Sequence, residues 1–193
     1  MKKFYLYTLL FLAPLSLFSQ LFSERGSEPK IVEPYQIRFN LLSPGIDFEI
    51  GLFKNQTVYG GTGLGFAYYK EGYALGLAVN AEYRLYHNLN RRIRMDKFIA
   101  GNSGNYIGFA RSIFFNQFII LTDIPSNDFN IGYYGLIYGI QRTYDKGLSF
   151  DVSTGVGYYL GDGIPSGVGP ILKLRIGWVA TKRKQKTAYF KTD

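Results

Sequence analysis

From Tyr35 onward the side chains alternate in character with a period of two, and the alternating runs are long. In Tyr73–Tyr86 one face carries Tyr73, Leu75, Leu77, Val79, Ala81, Tyr83 and Leu85. The other carries Ala74, Gly76, Ala78, Asn80, Glu82, Arg84 and Tyr86. Such alternation places two chemically different faces on an extended strand, and no helix can hold that pattern on one side. Soluble strands average about 5–6 residues, so a run of this length already restricts the fold.

The same pattern recurs along the chain. Leu148, Phe150, Val152, Thr154, Val156 and Tyr158 oppose Ser149, Asp151, Ser153, Gly155 and Gly157. Leu172, Leu174, Ile176 and Trp178 alternate with Lys173, Arg175 and Gly177. Short polar turns at 43–45, 54–56, 70–72 and 145–147 separate the runs, and Gly/Pro- or Asp-rich loops lie at 123–128 and 160–167. The spacing predicts eight strands, at 35–43, 46–53, 57–70, 73–87, 105–117, 129–142, 148–160 and 168–180. An even count brings both ends of the barrel region to one side, with short loops at 44–45, 70–72, 118–128 and 161–167 on the other. Arg111 interrupts the apolar run of the fifth strand.

The N-terminus reads as an export signal. Lys2 and Lys3 precede an apolar stretch from Phe4 to Phe18 broken by Pro14, with small residues before a cleavage point near Ser19. The organisation that follows is a signal peptide over 1–19, a lead-in over 20–34, a β-barrel over 35–180 and a basic tail over 181–193. Cysteine is absent, which excludes disulfides, thiolate metal ligands, a thiol nucleophile and a lipidated cysteine. The net charge of +8 is concentrated at the periphery. Arg91, Arg92, Arg94 and Lys97 against Asp96 give one basic segment, and five Lys/Arg after Ala180 give another.

Alternation alone fits a soluble lipocalin-like barrel binding an apolar ligand as well as a membrane barrel. The two differ in which face points inward. Opposite the apolar faces stand Arg38, Asp47, Glu49, Glu82, Arg84, Asp151, Lys173 and Arg175, four cations and four anions. That balance suits a narrow interior, where an unpaired charge is costly. Tyr68, Tyr69, Tyr73, Tyr133, Tyr134, Tyr158 and Tyr159 fall at one set of strand ends, and Tyr35, Tyr83, Tyr86, Tyr144 and Trp178 at the other. Two levels of amphipathic rings match two membrane–water interfaces, and Tyr68, Tyr73, Tyr83, Tyr158 and Trp178 are the clearest interface residues. The expectation is an all-β, eight-stranded antiparallel up-and-down transmembrane barrel of a Gram-negative outer membrane.

The final run Leu172–Trp178 resembles the aromatic-ended last strand of outer-membrane barrels. The whole mature chain resembles the small barrels typified by the OmpA transmembrane domain and OmpX. The segments Asn40–Gly45 and Tyr138–Arg142 resemble uncharacterised outer-membrane barrels of the Bacteroidetes group. The resemblance implies contact with outer-membrane lipids and with the outer-membrane assembly machinery, and it carries no catalytic residues. One departure is the basic tail that follows Ala180.

No cofactor motif is legible, and an exported barrel would not meet nucleic acid. His87, the only histidine, is the sole imidazole base for an outer-membrane lipid-modifying enzyme, but it falls at the wrong end of its strand and no nucleophile elbow accompanies it. Asp47 and Glu49 share a face at a spacing open to acid/base chemistry or cation binding. An ion-pair network with the interior cations uses the same residues. Gly60–Gly65 imitates a phosphate-binding loop, yet strand periodicity runs through it, where such a loop would open a helix. Arg91, Arg92, Arg94, Lys97 and the basic tail are placed to meet lipid headgroups or periplasmic polyanions. The sequence thus points to a non-enzymatic envelope scaffold or interaction module with a side-chain-filled lumen.

Overall fold

The computed structural model describes residues 30–69, 72–122, 130–162 and 165–181. The signal segment, most of the lead-in, the side chain of Tyr69 and the tail from 182 lie outside the described residues. Eight antiparallel strands follow one another around a closed ring: β1 (Tyr35–Leu42), β2 (Gly45–Phe53), β3 (Gln56–Tyr69), β4 (Gly72–Tyr86), β5 (Asn105–Thr122), β6 (Asn130–Thr143), β7 (Leu148–Asp162) and β8 (Gly167–Val179). β8 returns to β1, with Val179 opposite Arg38 and Ile176 opposite Leu42. A short helix, α1 (Leu89–Arg94), interrupts the connection from β4 to β5.

Strand ends agree with the sequence reading to within about two residues except in β5, which was expected to stop at 117 and runs to Thr122. The loop expected from 118 therefore starts later. The register between β4 and β5 shifts on both sides of Gly76, so that Gly76 meets Ile119 and Leu75 meets Leu121. Such bulges put the alternation out of phase, and the strand's second half loses its sequence signature although its partner is still present.

The alternation sorts the side chains as the period requires. On β2, Asp47, Glu49 and Gly51 are buried while Ile46, Phe48 and Ile50 are exposed. The two adjacent tyrosines in each Tyr-Tyr pair cannot share a face. Tyr134 and Tyr158 point out and pair across β6–β7, whereas Tyr133 and Tyr159 point in, their rings 5.0 Å apart. Tyr86 is likewise interior. The expected rim tyrosines are therefore fewer than the sequence suggested. Tyr68, Tyr83, Tyr158 and Trp178 are exposed on the outer face, and Tyr73 is half-buried there opposite Tyr68.

Strand lengths are unequal around the ring, and this shapes the interior. β1 and β2 have 8 and 9 residues, while β3 and β8 have 14 and 13. The β1–β2 hairpin turns back partway up the wall. Above it, β3 from Leu64 to Tyr69 has no β2 partner, and β8 from Gly167 to Arg175 has no β1 partner. Burial follows this break. The interior-facing Arg175, Gly177 and Val179 are buried, but Gly169, Ile171 and Lys173 are only half-buried. Pro170 lies opposite Val156 of β7 in the part of β8 that has no β1 partner, where a strand tolerates a residue without an N–H.

The lower end, which holds Ile31 and Val179, is closed. Residues 31–34 and the segment 87–104 fold beneath the strands, burying Val32, Leu89, Ala100, Asn102 and Ser103. Gly101, at φ +63°, donates its N–H to Glu33 (2.8 Å), and the Glu33 N–H donates to Asn102 Oδ1 (2.7 Å).

Candidate functional site

All eight charged residues singled out from the sequence point into the interior of the lower half, and Lys173 is the most exposed of them. β4 supplies Glu82 and Arg84 from alternate positions, β8 supplies Lys173 and Arg175, β2 supplies Asp47 and Glu49, and β1 and β7 supply Arg38 and Asp151.

Glu82 is one hub. Its Oε2 accepts Arg84 Nε at 2.8 Å and lies 2.7 Å from Arg84 Nη2 as an ion pair, and its Oε1 accepts Arg175 at 2.7 Å and Lys173 at 3.0 Å. Asp151 is the second, with Oδ2 at 3.1 Å from Arg84, 3.4 Å from Arg175 and 3.6 Å from Arg38, and Oδ1 accepting the Tyr106 hydroxyl at 2.9 Å. Glu49 is the third. It pairs with Arg38 at 3.4 Å and accepts Thr57 (2.6 Å), Tyr86 (2.8 Å) and the amide of Gln36. The Arg84 guanidinium lies between the rings of Tyr59 and Tyr106, 4.1 and 4.4 Å from their centroids. Cation–π contact suits a desolvated guanidinium.

Sequence reasoning missed the neutral members of this cluster. Gln141 Oε1 accepts Arg84 at 2.9 Å, and its amide donates to the Gly101 carbonyl at 2.8 Å. It thereby ties the ion pairs to the closed lower end. Gln36, Thr57, Tyr59, Tyr86 and Tyr106 were hidden as ordinary strand residues. Their inward phase was the available signal.

Asp47 departs from the expected network. It faces Arg38 in the register of β1 and β2, yet it makes no ion pair within 4 Å among the described residues. The Arg38 guanidinium reaches instead toward Glu49 and Asp151. Asp47 Oδ2 is buried without a hydrogen-bond partner, beside a void of about 20 Å³ shared with Asn40 and Tyr59. That volume matches one water molecule.

The remaining sequence candidates do not assemble a reaction centre. His87 is exposed at the foot of β4, its ring tilted against Tyr138 at 5.8 Å, and among the described residues no serine or carboxylate bonds to it. The glycine run continues as strand through β3. A Cβ on Gly61 would lie 2.5 Å from Asp47 Oδ1, so its smallness makes room for the buried cluster, while Gly60 faces outward with open space. No group of three metal-ligating side chains occurs among the described residues. In the basic segment Arg92 turns back, donating to the Phe98 carbonyl at 2.7 and 3.2 Å. Burial first, and the nearby Arg142 second, hold its pKa below the ordinary arginine value. Arg91, Arg94 and Lys97 stay exposed. Arg111 points outward from β5, opposite Ala81 and Tyr134.

Above the ion pairs the interior opens into a cavity of about 840 Å³. Phe114, Ile131, Tyr159 and Ile171 form its walls, and Asn80, Ser112 and Lys173 its floor. The chain matches no family model, no curated protein and no solved structure.

Proposed function

We propose that the chain is an integral β-barrel of the Gram-negative outer membrane that serves the envelope as a scaffold or interaction module and catalyses no reaction. The observation that carries this reading is the polarity of the ring. Leu136, Val156, Leu172 and Phe66 are 60–68% exposed on its outside, while arginines and carboxylates are wholly buried within. In water an apolar exterior of this extent is an aggregation surface, whereas in a bilayer it is the natural boundary. Where the ring is paired all round, closure satisfies backbone groups between strands, as a span without water needs.

The aromatic residues support two interface levels. Tyr68 and Tyr73 sit together at the upper end of β3 and β4, and Trp178 at the lower end of β8. With both described ends of the ring placed toward the periplasm, Arg91, Arg94 and Lys97 face phospholipid headgroups or periplasmic polyanions. A packed ionic interior above a closed lower end argues against a general porin, since eight strands leave room for side chains or one small ligand and not for an open channel.

The test is fractionation of expressing cells, followed by comparison of unheated and boiled outer-membrane samples on a gel. Recovery in that fraction with a heat-dependent mobility shift is expected. Recovery in the aqueous fraction without detergent would overturn the proposal.

A further inference from the structure

We propose that the upper cavity binds a single-chain fatty acid, with its carboxylate on the polar floor and its tail leaving sideways between β3 and β8. This inference rests on the membrane reading above, because the side opening then faces the outer leaflet.

Three observations lead to it. The first is the break in the wall. Above the β1–β2 hairpin the edges of β3 and β8 are unpaired over Leu64–Tyr69 and Gly167–Arg175. Unpaired strand edges are costly at membrane depth unless something lines or fills the gap. Some of these groups are already satisfied from the side: Ser43 donates to the Leu64 carbonyl and Tyr159 to that of Pro170 (2.7 Å). The edge is thus finished locally and leaves an opening.

The second is the cavity's size and polarity. At about 840 Å³ it lies within the range of small-molecule sites, roughly 300–1,000 Å³. Its walls are apolar and its floor is rich in donors. Such a division fits an amphiphile with one hydrocarbon chain and a compact oxygen-bearing head. A diacyl lipid would have to bring its glycerol and second chain through the same gap.

The third is an unpartnered donor. Tyr133 is 2% exposed, and its hydroxyl is buried without a hydrogen-bond partner. It lines the same cavity. A buried hydroxyl without a partner is destabilising. This one lies against Gly135, sealed from the cavity space, and in the proposed complex a turn of the Tyr133 ring brings it to a carboxylate oxygen on the floor. Lys173, which gives one bond to Glu82 (3.0 Å), has further N–H groups to offer. The Asn80 side chain already accepts Ser112 at 2.6 Å through Oδ1, which orients its amide nitrogen as a donor.

The chain's single tryptophan makes the test direct. In a Trp178→Phe background, two reporters are made: Ile171→Trp, facing the cavity, and Leu136→Trp, facing outward on β6 away from the cavity. Each is reconstituted in phosphatidylcholine vesicles, with heat-dependent gel mobility confirming the fold. Vesicles with bromine on the lipid chains should quench the outward reporter. Failure there sinks the membrane reading itself. In vesicles of plain lipid, added dibromostearic acid should quench the inward reporter saturably. Adding Tyr133→Phe should weaken that binding about five-fold, the loss of one net hydrogen bond. Equal, non-saturable quenching of both reporters would mean simple partitioning and would overturn the fatty-acid site. So would strong quenching of the inward reporter by brominated phosphatidylcholine that dibromostearic acid fails to exceed, since the occupant would then be bilayer lipid.

Discussion

The lower and upper halves of the ring are built from the same eight strands but differ in what holds them. Below, all eight strands are paired, and arginines, carboxylates, tyrosines and Gln141 interlock around a void of about one water molecule beside Asp47. Above, β1 and β2 are gone, the inward Gly169 and Ile171 of β8 are only half-buried, and the interior is a cavity. Stability in the lower half rests on charge compensation, so each member depends on its partners. The upper half has few such dependencies and can tolerate change, which is where a binding surface is least costly to build.

The widest separation between the halves comes from Arg84. Arg84→Ala leaves the buried cluster around Glu82 and Asp151 with one uncompensated negative charge, and a loss of about 3–5 kcal/mol is expected. Ile171→Ala in the upper half, at a half-buried position, should cost less than about 1 kcal/mol. Urea titration of the reconstituted proteins, read by gel mobility, makes the comparison. Similar losses for both would dissolve the distinction between the halves.

A finer contrast lies within one glycine run. Gly61→Ala drives a Cβ onto Asp47 and should cost about 1–3 kcal/mol. Gly60→Ala enters open space on the outside and should be neutral or stabilising by about 0.5 kcal/mol. If Gly60 proves the sensitive position, the assignment of inner and outer faces on β3 is wrong.

Arg111 sharpens the contrast between inside and outside. An outward arginine on a lipid-facing strand is unfavourable to a degree that depends on depth. Arg111→Leu is expected to raise stability in bilayers by on the order of 1 kcal/mol. A drop would mean that the guanidinium has a partner on that face. The smallest effect is expected at His87: His87→Ala should change stability by less than about 0.5 kcal/mol and leave the lipid profile of the host membrane unaltered. A shifted lipid profile would revive the enzymatic reading.

Much of this was legible in the sequence because a strand's period of two is strict. The phase of Glu82 and Arg84 on β4, or of Lys173 and Arg175 on β8, fixes the face they share wherever the strand lies. The same phase excludes Tyr133 and Tyr159 from the outer rim, although clustering by position alone suggested that they belonged there. The signal failed where the register slips, as around Gly76 and the second half of β5. It also failed for Gln141, whose role depends on meeting Arg84 from another strand and Gly101 from beneath.

The sequence by itself determined the strands, their faces and the equal numbers of interior cations and anions, since these follow from local periodicity. Only the tertiary structure decided that Arg38 bypasses Asp47 for Glu49 and Asp151, that residues 31–34 and 87–104 close one end, and that a short first hairpin leaves the wall open above it. Those outcomes depend on register between strands distant in the chain. Register comes from how unequal strands fit around a closed ring, which no single segment encodes.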